Sequence, residues 1–505
     1  MHSRLLQDTP LDLYNDRRRA GILLHPTSLP DSTHHALSEN GDFGSDAFHF
    51  IDFLVASGMS IWQMLPLGPT HGDKSPYQCL SVHAGNSFLI SLDLLVKSGW
   101  LPQESTLPAS EDASRYRRAR LIQARQEFMQ HASAEDHAAF KEFGTQQQHW
   151  LKDFALYTAL HHEHEGRSWL DWPVLLRDRE PQALEEVRGR LADQIEQTCF
   201  EQFIFFRQWF ALKRYANERG ILLFGDMPIF VAHDSADVWV HRQYFKLDEA
   251  GHPFVVTGVP PDYFSATGQR WGNPHYQWDL MQSDGFQWWI ERMTTQFVLF
   301  DLVRIDHFRG FESCWEIPAQ SPTAEGGRWV DVPGDALFGV LRATFNTLPL
   351  VAEDLGIITP EVDALREKHR FPGMKILQFA FEGGPTNPYL PHNHKKDSVV
   401  YTGTHDNNTT VGWFQELSYP AQNYIMEYLA KPLESMPLPL IRSAFASVAN
   451  LAIIPMQDVL RLDAEHRMNL PGTPQGNWGW RYTWDQVPDD LVPRLRRMVE
   501  MYGRL

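Results

Sequence analysis

Cysteine is scarce in this chain, with three in 505 residues. Cys79, Cys199 and Cys314 are odd in number, far apart and in no CxxC pair. That spacing excludes a disulfide framework and fits a reducing compartment. No apolar run approaches the roughly 20 residues that a membrane span needs. The N-terminal stretch MHSRLLQDTPLDLYNDRRRAG lacks an apolar core of signal-peptide length, and its basic residues follow its leucines. These absences predict a cytoplasmic protein with no membrane partner. Positive charge is also short, because 45 Lys and Arg stand against 63 Asp and Glu, for a formal net charge of −18. Such a chain repels phosphates, so no nucleic-acid partner is expected, whereas a neutral substrate is not opposed. No GxGxxG or P-loop spacing implies a nucleotide cofactor, and no HExxH pattern implies zinc. The histidines of HHEHEG (His161, His162 and His164) read as a solvated helix end. The basic run Arg17 to Arg19 reads as a solvated face. No internal repeat and no low-complexity tract is present.

What the chain does hold is ordinary for a globular protein, with 43% hydrophobic and 21% charged residues. Aromatic content is high at 12%, including 17 Trp. Most of these rings belong in a core, but sugar sites also use aromatic platforms, because the CH face of a pyranose lies well against a π-face.

The order of elements predicts an α/β fold. Gly21–His25 and Ile61–Leu65 read as strands, with a helix of i, i+3, i+4 apolar spacing between them over Phe43–Ser57. Residues 68–199 break the rhythm and read as a mostly helical insertion after strand two. A helix over Glu201–Arg219 and a third strand, Leu222–Met227, restore it. Residues 233–285 form a second, aromatic-rich insertion. Further strands are expected at Asp301–Asp306, Leu350–Glu353, Lys375–Phe381, Val399–Gly403 and Leu451–Met456, with a basic helix over Leu491–Met501 at the end. Eight strands, mostly alternating with helices, predict one TIM-type (β/α)8 barrel over 1–505, with its insertions on the C-terminal rim. No run of strands follows the eighth, so no C-terminal β-sandwich is expected.

Three strand ends carry acids. In DLVRIDHFRGF, Arg304 and Asp306 share one face of a strand. A guanidinium favours the charged form of a neighbouring carboxylate, and a covalent nucleophile requires that form. Alone, such a pair reads as an ion pair in a barrel core. Two later stretches change that reading. In PLVAEDLG an apolar run ends in Glu353 and Asp354, and in VVYTGTHDN another ends in His405 and Asp406. Acids at the C-terminal ends of parallel barrel strands gather at one rim. Two carboxyl groups about 5–5.5 Å apart are the apparatus of retaining glycoside chemistry.

RIDHFRGFE, AEDLG and YTGTHDN, in this order, resemble the 4-alpha-glucanotransferases (amylomaltase, or disproportionating enzyme) of the alpha-amylase clan. GILLHPTSLP, WQMLPLGPT, SPYQ, GDMPIF, PPDYFSATGQRWGNPHY and NLPGT extend the likeness over almost the whole chain. The resemblance implies retaining transfer of an α-1,4-glucan segment from a maltooligosaccharide or starch donor to the 4-hydroxyl of another glucan or glucose. It implies Asp306 as nucleophile, Glu353 as general acid/base and Asp406 as stabiliser of an oxocarbenium-like transition state. Substrate contacts are expected from Tyr77, Asp226, Tyr263, Phe264, Trp271, Arg304, His405 and Asn469, and His307 flanks the acids. No metal and no organic cofactor is expected, because carboxylates can supply acid, base and nucleophile. The loop Asp31–Asn40 and His233 depart from the family pattern.

An α-1,4-glucan hydrolase of alpha-amylase type is the rival activity. A catalytically silent glucan-binding protein is the rival class. The missing terminal sheet and the PPDYFSATGQRWGN stretch favour transfer.

Overall fold

The computed structural model describes residues 17–31, 40–103, 112–261 and 265–505. Among them, strands β1 to β12 in chain order make two sheets. The larger holds β1 (Arg19–Leu23), β2 (Ile61–Gln63), β3 (Leu222–Pro228), β6 (Leu302–Asp306), β9 (Leu350–Ala352), β10 (Gly373–Ile376), β11 (Ser398–Tyr401) and β12 (Leu451–Pro455), in that spatial order. Its pairs are parallel, with Ile22 of β1 opposite both Trp62 and Ile454. The ring closes where Ala352 N–H donates to the Pro372 carbonyl at 2.9 Å, just ahead of β10. Helices cover the outside, so this is a TIM-type barrel.

Alternation along each strand explains both cores. Leu23, Ile61, Phe224, Leu302, Val351, Met374, Val399 and Ile453 fill the barrel interior. Their neighbours Ile22, Trp62, Leu223, Val303, Leu350, Val400 and Ile454 pack beneath the helices. Burying each such side chain is worth about 1.5–3 kcal/mol, and a one-residue slip would exchange the faces, so the register is firmly set. The inward face turns polar toward the C-terminal end of the strands. Phe224 is followed by Asp226, Leu302 by Arg304 and Asp306, Val351 by Glu353, and Ile61 by Gln63. Gln63 accepts a hydrogen bond from the Tyr401 hydroxyl at 2.8 Å, which floors this polar layer.

Between β2 and β3 lie helices Ala113–His131, Ala134–Gln146, Leu151–Glu163 and Ala192–Glu218. The last begins well before the expected Glu201, because residues 192–218 contain neither glycine nor proline to start it later. The sixth barrel strand stops at Ile376 rather than Phe381. There Gln378 turns over the end of β11, donating its N–H to the Thr402 carbonyl at 3.2 Å.

The smaller sheet is antiparallel and was not expected. It joins β4 (Val255–Val259) and β5 (Gln269–Pro274) with β7 (Ser313–Pro318) and β8 (Arg328–Asp331), in the order β5-β4-β7-β8. Val256, Ile317 and Ala324 give it a small core of its own.

The N-terminal end of the barrel is tied by two arginines. Arg504 is fully buried and donates to the carbonyls of Arg19, Ala444, Phe445, Ser447, Ala449 and Asn450. Arg18 donates to Phe445, Ser447 and Tyr502 carbonyls. Arg18 is therefore part of a clasp, not of a solvated face, because unpaired carbonyls at the base of β12 need donors. No strand follows Pro455 among the described residues, and no helix among them is long and apolar enough to cross a membrane.

Candidate active site

Arg304 stands at the centre of the rim. It projects inward from β6 and is 5% exposed. Its Nη1 donates to both oxygens of Asp226, at 2.8 and 2.7 Å, and its Nη2 donates to Asp306 Oδ1 at 2.8 Å. Burial works against the guanidinium charge, but Asp226 and Asp306 overcome it, so its pKa rises above the usual arginine value. Asp226, at 2% exposure, is the buried anchor of this pair, whereas the Asp306 side chain is 31% exposed and faces the rim.

Glu353 follows β9 on the same inward face. Its Oε2 accepts the His307 N–H at 2.7 Å, and its Oε1 accepts the Leu355 N–H at 3.0 Å. His307 reaches that position with a left-handed φ of 53°, which aims its N–H across the end of β6. Burial pushes the Glu353 carboxyl up to about 8, and the charge of Asp306 adds to the rise. Arg304 and the two N–H donors oppose it and are outweighed. Glu353 therefore holds a proton at neutral pH. Burial also lowers the His307 ring to about 4, leaving it neutral.

Asp406 stands in the loop after β11. Its Oδ1 accepts from Asn469 Nδ2 at 2.6 Å and lies 3.3 Å from His405 Nε2. Arg467 donates to its carbonyl at 3.1 Å. His405 Nε2 is also 2.8 Å from the Tyr77 hydroxyl, which donates to Asp226 Oδ2 at 2.8 Å. Tyrosine has one hydroxyl proton and gives it to Asp226, so His405 Nε2 carries the proton in their bond. A continuous chain thus runs from His405 through Tyr77, Asp226 and Arg304 to Asp306.

Aromatic rings frame this chain. Tyr77 stacks on His405 with centroids 5.2 Å apart, and Trp478 packs 5.9 Å from Tyr77 and 6.0 Å from His405. Trp271, on β5, meets His307 edge-on at 4.9 Å. The small sheet therefore brings an indole over the β6 end of the rim. Tyr263 and Phe264 lie outside the described residues.

Sequence reasoning missed Trp478, the Gln63–Tyr401 floor and the anchoring roles of Asp354 and Asp458. The aromatic, glycine-containing NWGW run was the one available signal for Trp478. Asp354 Oδ1 accepts the Met374 N–H at 2.6 Å and so ties the Glu353 corner to β10.

The HHEHEG stretch is not simply solvated. His161 stacks on Tyr157 and lies 3.5 Å from Asp234, and His164 stacks on Trp172, because one face of helix Leu151–Glu163 packs inward. Among the described residues, no group of three or more His, Cys, Asp or Glu could hold a metal ion. His233 accepts the Trp169 indole N–H at its carbonyl and bonds the Gly251 carbonyl through its ring.

A rim of this kind on a parallel barrel marks the enzymes that act on glycosidic bonds. A family signature described as 4-alpha-glucanotransferase matches residues 24–486. A 4-alpha-glucanotransferase of Synechocystis sp. is 49% identical over 97% of this chain and 98% of its own length. That of Thermus thermophilus is 47% identical over 97% and 99%. The solved structure of the Streptococcus agalactiae amylomaltase, in complex with acarbose, superposes with a TM-score of 0.92 at 36% identity, covering 97% of this chain and 100% of that one. The chain belongs to the 4-alpha-glucanotransferase family of the alpha-amylase clan. Transfer therefore stands over the hydrolase reading.

Proposed function

We propose that this chain moves α-1,4-glucan segments between maltooligosaccharides by double displacement at Asp306, with Glu353 and Asp406 as its partners. The observation that carries the reading is the pairing of a proton-bearing Glu353 with an Arg304-bound Asp306 at one rim. Asp306 attacks the anomeric carbon, and a glycosyl ester forms as the C–O bond to the leaving sugar breaks. Glu353 gives its proton to that leaving oxygen. The ionised Glu353 then takes a proton from the 4-hydroxyl of an incoming glucan, whose oxygen displaces Asp306 and restores the starting state. Asp406, steadied by Asn469, accepts hydrogen bonds from hydroxyls of the reacting sugar that strengthen as its ring flattens.

The surroundings suit a neutral sugar chain. Tyr77, Trp478 and Trp271 offer ring faces and edges, and the charges nearest the rim are already paired. Tyr263 and Phe264 belong to the same reading as contacts on the acceptor side. Excluding water there favours a sugar hydroxyl over hydrolysis.

Maltotriose tests the reading. Transfer yields glucose and a ladder of longer oligomers. Products no longer than maltotriose would contradict it.

A further inference from the structure

One buried carboxylate near the rim takes no part in the chemistry above. Asp458 lies in the short helix Met456–Val459 that follows β12, and it is 1% exposed. Three neutral donors hold it. Its Oδ1 accepts the Thr410 N–H at 2.7 Å, and its Oδ2 accepts the hydroxyls of Thr402 and Thr410 at 2.6 Å each. Burying a carboxylate is costly, and Asp458 meets that cost with hydrogen bonds alone.

The position of those donors gives the cost a purpose. Thr402 is the residue after β11, and Thr410 is the first residue of helix Thr410–Glu416. The segment between them, 403–409, carries His405 and Asp406. Asp458 thus grips both ends of the loop at one point, in the turn of helix just beyond the neighbouring strand β12. The loop is fastened from its other side as well. Gln378 Nε2 donates to the Asn408 carbonyl at 2.9 Å, and Asn407 Oδ1 accepts the N–H and hydroxyl of Thr404 at 2.8 and 2.9 Å. Asp406 itself remains at the mouth, with its side chain 46% exposed. An exposed carboxylate on a loop keeps a fixed place only if the loop's ends are fixed.

We propose that Asp458 is a positioning residue for Asp406, holding loop 403–409 so that the carboxylate stands in its working place before substrate arrives. The proposal rests on the role given above to Asp406. It differs from a purely structural role, which would lower stability and leave the catalytic contribution of Asp406 unchanged. If Asp458 acts through Asp406, its loss matters only while Asp406 is there to be placed.

The test is a double-mutant cycle on the full chain, read as kcat and KM for maltotriose disproportionation. Asp458→Asn keeps the shape but replaces an acceptor oxygen with a donor facing two hydroxyls. It should lower kcat by about 10- to 100-fold, the scale of a misplacement near 1 Å, with little change in KM. Added to Asp406→Asn, it should cost less than about 3-fold more, because the two act as one unit. Thr410→Val removes one hydroxyl donor and should repeat the pattern more weakly, and Thr410→Ser should restore the wild-type rate. Thr410→Val carries the same cycle if Asp458→Asn does not fold. Full multiplication of losses in the double variant, or no loss of kcat in Asp458→Asn, would overturn the anchor alone. Wild-type kcat in Asp406→Asn would overturn the reading of Asp406 and the anchor with it.

Discussion

Glu353 is pulled in two directions, and the balance has consequences for both rate and stability. Two backbone N–H groups and Arg304 favour its anion, while burial and Asp306 favour the acid and prevail, placing it at about 8. The first chemical step needs the acid, so kcat/KM should fall as pH rises through about 8. The sign for stability follows from the same shift, from 4.5 up to about 8. Below 4.5 folded and unfolded chains both hold the proton; between the two values only the folded chain does, so stability declines as pH rises, and above about 8 the full penalty remains. Glu353→Gln removes that titration. It should therefore raise the melting temperature clearly at about pH 9 and hardly at all near pH 4; an equal change at both would contradict the burial argument. Asp306→Asn should abolish turnover with the fold intact, since the amide cannot form the glycosyl ester. More than a few per cent of wild-type rate in the purified variant would remove Asp306 from the nucleophile's place. The sequence made the Arg304–Asp306 pair legible because a period of two puts both on one face. It could not show that Arg304 also spans to Asp226 on β3, because that contact depends on which strands lie side by side.

The elements that carry these groups are held by tight local fits. Gly373 opens β10, and a Cβ there would collide with the Asp354 carboxyl. Asp354 in turn accepts the Met374 N–H and lies 3.3 Å from Arg366 Nε, fixing the turn that presents Glu353. Gly373→Ala should cost about 1–3 kcal/mol of stability through overpacking and reduce kcat about tenfold by shifting Glu353. Gly339→Ala, on an open helix face with nothing near its Cβ, is the control and should leave kcat unchanged. An undiminished kcat in Gly373→Ala would show that the Asp354 corner does not govern Glu353. The barrel strands were readable because they are mostly buried apolar runs, and those leading to Asp306, Glu353 and Asp406 give way to polar residues at their ends. The small sheet was not, because β4 and β5 hold Gly258 and Gly272, shift register between Val256 and Gly258, and bury only part of their length. Half its strands also come from beyond β6. Trp478 was equally hidden, since its loop reaches Tyr77 only through tertiary packing.

Across the whole molecule, the arginine clasp and the acids of the proposed site lie at opposite ends of the barrel. Arg504 and Arg18 tie the start of β1 and the segment after the last helix to carbonyls around the base of β12, far along the strands from the rim acids. Arg504→Ala would orphan several buried carbonyls and should cost on the order of 3 kcal/mol. Its kcat on maltotriose at moderate temperature should stay at the wild-type value. A lowered melting point with unchanged kcat supports this division, and a large fall in kcat in the folded variant would contradict it.

The central claim is that Glu353 serves the two steps as acid and then as base, while Asp306 bears the covalent intermediate. Glu353→Gln cannot protonate a glycosidic oxygen, but the fluoride of α-maltosyl fluoride leaves without that help. Asp306 should still attack, and the ester should persist because nothing activates the acceptor hydroxyl. The measurement is intact-protein mass after mixing Glu353→Gln with α-maltosyl fluoride. The mass should rise by one maltosyl unit, and the rise should disappear when Asp306→Asn is added. Fluoride release without an adduct, or an adduct that survives the loss of Asp306, would contradict the claim.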